Sequence, residues 1–304
     1  MRPWQLAAAL AVVTVGVISV MEWRSASQRY DAGHMLERLP LEGSVKVWVD
    51  FDQLRSSGLL DLLAGSAAAE DPDYKSFTQQ IGFDYRTSLN GVAASFRKDN
   101  SYFSVHGKFD FKKLDDYAAK EQGRCVDAVC SMPASQQGRF VSFYPLAEEA
   151  LALAVSGEPE GVRMIAPGAR SVEVNPRAPV WISAPGSSFS GFAHLPAGAQ
   201  AFLSPLTDTV ESSFSIGPTG DGGKDLRIQL DSTCPSADVA VKLAAQLNST
   251  TDLLRKMLQR DHLTPGKSDF TSLLSSGRFE VHEVRVSGTW PLDRKLLENL
   301  LAGK

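Results

Sequence analysis

The chain has 304 residues, 43% hydrophobic and 22% charged, with 24 glycines, 16 prolines and 3 cysteines. This composition excludes wholesale disorder, a collagen-like or low-complexity chain, and a small disulfide scaffold. The formal net charge of −4 excludes a nucleic-acid binder working through a broad basic surface, so no nucleic-acid partner is expected.

The first element is the run from Trp4 to Met21, interrupted only by the uncharged Gln5, Thr14 and Ser19. As a helix it would span roughly 27 Å, close to a bilayer core, with Trp4 and Trp23 at the depths indoles prefer. A signal anchor, a cleaved signal peptide and a buried helix of the body all fit such a run. The bulky Met21-Glu22-Trp23 before Ser25 and Ser27 makes a poor cleavage site, and no polar face suits a surface helix. Residues 1–24 are therefore expected to be a transmembrane signal anchor in the inner membrane. Arg24, Arg29 and Arg38 against Arg2 would by count put the body in the cytoplasm. The short tail with its free amine reads instead as an ordinary signal, which sends the body into the periplasm or outside. Residues 25–41, polar and containing Gly33 and Pro40, read as a stalk.

Residues 42–157 read as a first α+β repeat. Val45, Val47, Val49 and Phe51 alternate as a strand, and Leu54–Leu63 follows as a helix capped by Asp52. Asp71-Pro72 opens a helix to Gln80; Leu89–Phe96 and Tyr102–Phe109 form strands about a turn at Lys98–Asn100. Phe111–Lys120 is a helix, and Phe140–Tyr144 with Leu151–Val155 a closing hairpin. Residues 158–178 are a connector. Residues 179–304 repeat the order: strand Val180–Ser183, a short helix after Pro196, strands Val210–Ile216 and Leu226–Leu230, helix Ala237–Arg260, strands within Arg278–Val286, and a terminal amphipathic helix from Leu292 to Leu300. Val47-Trp48-Val49 matches Val180-Trp181-Ile182, and Val155-Ser156-Gly157 matches Val286-Ser287-Gly288. The expected fold class is α+β: an N-terminal transmembrane helix, then two tandem ferredoxin-like (βαββαβ-type) repeats, each with an extra strand.

Cys125 and Cys130 are too far apart for a redox Cys-x-x-Cys and lack a second ligand pair for zinc. They read as a local disulfide, or else as two reduced thiols in a loop. Cys234 is left over, as a buried thiol or a thiolate at a helix start. The Gly217–Lys224 segment resembles a phosphate loop, but Pro218 stands where the pattern needs glycine and Asp225 where it needs Ser or Thr, so it reads as a hairpin turn. Gly186–Gly191 fails the nucleophile elbow because Ser190 replaces the second glycine. His34, His106, His194, His262 and His282 have no metal-helix spacing. No catalytic, cofactor-binding or metal-binding residue is assigned. Trp48 and Trp181, at equivalent repeat positions, are candidate contact residues, or else core.

Val45–Leu63 (Val-Lys-Val-Trp-Val-Asp-Phe-Asp-Gln-Leu-Arg-Ser-Ser-Gly-Leu-Leu-Asp-Leu-Leu) and Tyr102–Leu114 (Tyr-Phe-Ser-Val-His-Gly-Lys-Phe-Asp-Phe-Lys-Lys-Leu) resemble segments of uncharacterised bacterial envelope proteins that join a hydrophobic anchor to a repeated α+β body. The resemblance covers most of the chain and carries no catalytic residue. It implies a bacterial, extracytoplasmic, non-enzymatic protein. The expected function is to bind or scaffold another envelope component, with the membrane and an envelope protein as partners and no cofactor. The alternatives are a tethered hydrolase-like enzyme using dispersed residues, with Asp50, Asp52, His106 and His282 as candidates, and a small-molecule or lipid-binding module.

Overall fold

The computed structural model describes residues 30–62, 72–165, 178–191, 197–219, 225–260 and 270–301. The expected anchor, residues 1–24, lies outside them. Among the described residues no helix is long and apolar enough to cross a membrane.

Among the described residues, twelve strands form one sheet. They are β1 (Val45–Asp50), β2 (Leu89–Arg97), β3 (Asn100–Gly107), β4 (Arg124–Val126), β5 (Val129–Pro133), β6 (Phe140–Ala147), β7 (Ala150–Ser156), β8 (Val180–Pro185), β9 (Glu211–Pro218), β10 (Leu226–Thr233), β11 (Arg278–His282) and β12 (Arg285–Leu292). Their order is β11-β12-β10-β9-β8-β1-β2-β3-β7-β6-β5-β4, and every adjacent pair is antiparallel. The helices are α1 (Ala32–Glu37), α2 (Phe51–Ser56), α3 (Pro72–Ile81), α4 (Tyr85–Ser88), α5 (Phe111–Lys120), α6 (Ala197–Leu203), α7 (Ala237–Arg260), α8 (Phe270–Ser275) and α9 (Arg294–Leu301). Short 3-10 turns run over Gly161–Met164, Gly186–Gly191 and Ser204–Asp208.

Because side chains alternate along a strand, each row of paired residues belongs to one face. One face carries Val49, Val180, Ile216, Ile228 and Trp290 in a single row. On this face α6, α7, α8 and α9 bury a large core containing Leu206, Leu230, Leu243, Leu247, Phe279, Trp290 and Leu296. A smaller core on the same face packs Leu114 and Ala118 of α5 against Cys130, Phe143 and Leu151. The opposite face carries Trp48, Trp181, Ala93, Ala152 and Ala154, where small residues let α1 and the Gly161–Met164 turn approach the strands. Over β9, β10 and β12 this second face is polar, with Ser213, Gln229, Asp231, Ser287 and Thr289 half-buried.

The α+β class agrees with expectation, and the strands form one large antiparallel sheet. The two ferredoxin-like repeats do not emerge from the strand order. A split βαβ unit inserts a later strand between two parallel ones, whereas β1, β2 and β3 here lie side by side in chain order, as do β8, β9 and β10. The halves do share a pattern: β1-β2-β3-β7-β6 runs outward one way, and β8-β9-β10-β12-β11 the other. Trp48 stands directly opposite Trp181 at their junction.

Residues 30–41 do not behave as a polar stalk. Ala32, Met35, Leu36 and Leu39 recur at helical spacing and are all buried against the sheet. Part of the expected connector also belongs to the body, since Val162 and Ile165 are buried. The α2 cap is Asp50, whose Oδ1 accepts a 2.8 Å hydrogen bond from the Gln53 amide. Asp52 instead pairs with Arg55 at 2.6 Å and accepts from Asn90 at 3.0 Å.

Candidate functional site

The large core is not filled. A cavity of about 190 Å³, open on one side, is lined by α6 (Ala199, Phe202, Leu203), the turn residue Leu206, strand residues Phe214, Ile228, Leu230 and Trp290, Leu247 of α7, and Leu273 and Leu274 of α8. Sequence alternation turns Phe214, Ile228, Leu230 and Trp290 to the helix side of the sheet. The 24-residue α7 then buries Leu243 and Leu247 across them, one turn apart. Leu203, Phe214, Ile228 and Leu274 are only half-buried, so the cavity reaches toward solvent.

Aromatic rings stiffen its wall. Phe279 and Trp290 meet edge to face at 5.2 Å between centroids, and Phe202 lies 6.2 Å from each. Phe279 lies over its cross-strand neighbour Gly288, where a Cβ would come within 2.8 Å of the ring. The indole Nε1 of Trp290 is buried without a hydrogen-bond partner and sits beside Gly277. Every residue lining the cavity has an apolar or aromatic side chain, so the space offers shape and hydrophobicity. An apolar cavity of about 150 Å³ is large enough to hold benzene or xenon.

Beyond the cavity, a polar cleft of about 810 Å³ is lined by Arg227, Arg255 and Arg278 together with Asp225 and Asp293. Arg255 is held in place, donating to the carbonyls of Ser275 at 2.8 Å and Gly277 at 3.3 Å, and to Asp252 at 3.1 Å. Strand β9 pairs with β10, and the Thr219 amide donates to Asp225 O at 2.8 Å; residues 220–224 of the expected hairpin turn lie outside the described residues.

Trp48 and Trp181 are each 4% exposed, in the core beneath α1. Trp48 reaches across β1 to β2, where a Cβ on Gly91 would meet its Cη2 at 2.6 Å. Beside this pair lies a polar cluster that sequence reading missed. Lys46 Nζ donates to Glu211 Oε1 at 2.6 Å, and the buried Ser183 hydroxyl donates to the same oxygen. Burial pushes the Glu211 carboxyl up, but the hydrogen bonds from Lys46 and Ser183 and the Lys46 charge outweigh it, leaving a net shift below the ordinary value. The β1–β8 register brings Lys46 opposite Ser183, a pairing that local sequence does not reveal.

Of the candidate catalytic residues, Asp52 lies within electrostatic reach of His106, whereas His282 stands far from both. Asp50 caps a helix, and Asp52 is engaged with Arg55 and Asn90. His106 stacks on Tyr30 with centroids 4.0 Å apart, and its Nε2 lies 3.9 Å from Glu149. His282 is on β11, seven strand spacings from His106 on β3, or about 34 Å along the sheet. His34 pairs with Asp31 at 2.9 Å, whereas His194 and His262 lie outside the described residues. Cys234 is buried, and burial pushes its thiol up, away from a reactive thiolate. Cys125 and Cys130 form a disulfide, as expected.

No family model matches the chain, and no curated protein matches it. Solved structures similar in overall course are crystal forms of TP0453. Form III has a TM-score of 0.49 and 7% identity, covering 89% of this chain and 98% of that one. Form IV has a TM-score of 0.47 and 8% identity, covering 89% of this chain and 97% of that one. Form I has the same TM-score and identity, covering 89% and 98% respectively. At these values no residue role is transferred to this chain.

Proposed function

We propose that this chain is a tethered binding protein of the bacterial cell envelope, held in the inner membrane by residues 1–24. Its body, outside the cytoplasm, binds or scaffolds another envelope component. The grip is the apolar cavity beneath α6, α7 and α8, which takes an apolar group of that component. The cavity carries this reading: its lining supplies shape and hydrophobicity but no general acid, base or nucleophile. The apolar run from Trp4 to Met21 supports the tether.

A duplicated origin for the body accompanies this reading. The Val-Trp-Val and Val-Trp-Ile segments lie on β1 and β8, and the two Val-Ser-Gly segments start on β7 and β12, which hold corresponding places in the two outward series. The cavity lies in the second half, and that half is assigned the binding role.

Iodobenzene tests the cavity directly, because its heavy atom quenches indole fluorescence and Trp290 lines the space. Titration should quench saturably and raise the unfolding temperature. Trp290→Phe should remove the saturable quenching while keeping the thermal shift. Ala199→Phe, which fills the cavity, should remove both. Linear, non-saturating quenching that is indifferent to Ala199→Phe would overturn the assignment.

A further inference from the structure

The hairpin at one end of the sheet holds a second, separate constellation. Strands β4 and β5 are joined by Asp127-Ala128, both with positive φ of 49° and 63°, as a two-residue hairpin turn of the right hand requires. That turn places Cys125 directly opposite Cys130, with both side chains on the face that meets α5. Helix α5 is capped by Asp110, whose side chain accepts from the Lys113 amide at 3.2 Å. It anchors through buried Leu114 and Ala118. Asp115 follows Leu114, and its Oδ1 stands 3.1 Å from Cys130 Sγ. Gly123 permits the approach, since a Cβ there would come within 2.6 Å of the Ala118 carbonyl and 2.5 Å of the Ser131 carbonyl.

One ligand atom each from Asp115, Cys125 and Cys130 therefore lies within 4.8 Å of the others. Tetrahedral zinc with two thiolates and a carboxylate needs donors about 3.5–4 Å apart, at bond lengths of about 2.0–2.3 Å. Once the disulfide is opened, side-chain rotations of the facing cysteines would have to bring the sulfurs into that range. The donor set is two soft sulfurs and one oxygen, which suits zinc and cadmium better than magnesium or calcium. A carboxylate beside two thiols disfavours thiolates in the absence of a cation and stabilises the cation once bound. Cys125 and all of β4 are exposed at the sheet edge, open to both reductant and cation.

We propose that Asp115, Cys125 and Cys130 form a redox-gated site for a thiophilic divalent cation, closed as the disulfide and opened by reduction. A dithiol reductant supplies two electrons and two protons to the S–S bond, giving two cysteine thiols and its own disulfide. The divalent cation then displaces both thiol protons to solvent, with Asp115 as third ligand and water completing the tetrahedron. Neither the apolar cavity nor the tether enters this proposal.

The test uses the full chain carrying Cys234→Ala, so that only the hairpin thiols respond. Protein reduced with dithiothreitol and desalted without oxygen is titrated with Cd²⁺, following thiolate-to-cadmium charge transfer, with circular dichroism reporting the fold. The reduced chain should take up one Cd²⁺, displaceable by Zn²⁺, and the oxidised chain none. Asp115→Asn should weaken the reduced site by about tenfold or more, and Cys125→Ser should abolish the charge-transfer band. A folded reduced chain that takes up no Cd²⁺, or Asp115→Asn binding as tightly as the unsubstituted protein, would overturn the proposal. So would loss of the fold on reduction, since the site would then have no frame.

Discussion

Glu211 holds the polar interior of the β1–β8 junction together, and its charge state makes the junction sensitive to acid. Its carboxyl is held below the ordinary value of 4.5 by Lys46 and Ser183 despite burial. As pH falls, the unfolded chain takes up this proton before the folded one does. The contribution is therefore complete above 4.5 and lost as pH drops through the lower folded value. Glu211→Gln should flatten the acid limb of a plot of urea midpoint against pH. It should also lower stability at neutral pH by about 1–2 kcal/mol, less than for a fully buried pair because the carboxylate still meets water. An unchanged acid limb would count against the pair. His106 adds a second dependence: burial pushes its imidazole below 6.5, and Glu149 and Asp52 only partly oppose this. The unfolded state again binds the proton first, so stability falls as pH drops below 6.5 toward the folded value. His106→Phe, keeping a ring against Tyr30, should remove that component from the same plot. At this scale the sequence disclosed the Cys125–Cys130 pair through its spacing, but not Asp115, which comes from another element 10 and 15 residues away. It likewise hid Glu211, whose partners depend on which strands become neighbours.

Helices α5 and α7 occupy the bounds that apolar periodicity predicts, Phe111–Lys120 and Ala237–Arg260. Both are long enough for the 3.6-residue pattern to repeat, and α5 starts at an aspartate cap. Helix α1 escaped because six residues make too little pattern, embedded among Arg29, His34, Glu37 and Arg38. Strands β4 and β5 escaped because they are only three and five residues long, and Asp127-Ala128 lacks the glycine that usually marks such a turn. The packing of α1 is directly testable. Leu36 is fully buried, so Leu36→Ala should lower stability by about 2–5 kcal/mol in urea unfolding. A stalk residue would change it by no more than about 0.5 kcal/mol, and a result of that size would remove α1 from the core.

One continuous sheet joins the two halves, so the molecule should unfold as a unit. The Trp48–Trp181 junction lies between the series that run outward to β6 and to β11. Trp181→Ala should destabilise by about 3–5 kcal/mol and leave a single transition by both fluorescence and circular dichroism. Two separated transitions would show that the halves fold independently. Strand order is the part of this architecture that the sequence did not disclose. Alternation marks a strand and its buried face, but β1 could have paired with several others. Its partners follow from contacts such as Trp48 over Gly91, which join residues 43 positions apart. The cavity is equally hidden: Phe202, Leu230, Leu247 and Leu273 read as ordinary core, and only their assembled volumes leave the space between them. The central claim is that this space grips an envelope component. The decisive measurement places benzoylphenylalanine at Leu274, a half-buried residue of the cavity wall, in the full chain in its native membranes, followed by photolysis and mass spectrometry. A single recurrent adduct with an envelope component, lost when Ala199→Phe fills the cavity, is the predicted result. No adduct, or the same adduct with the cavity filled, would contradict the claim.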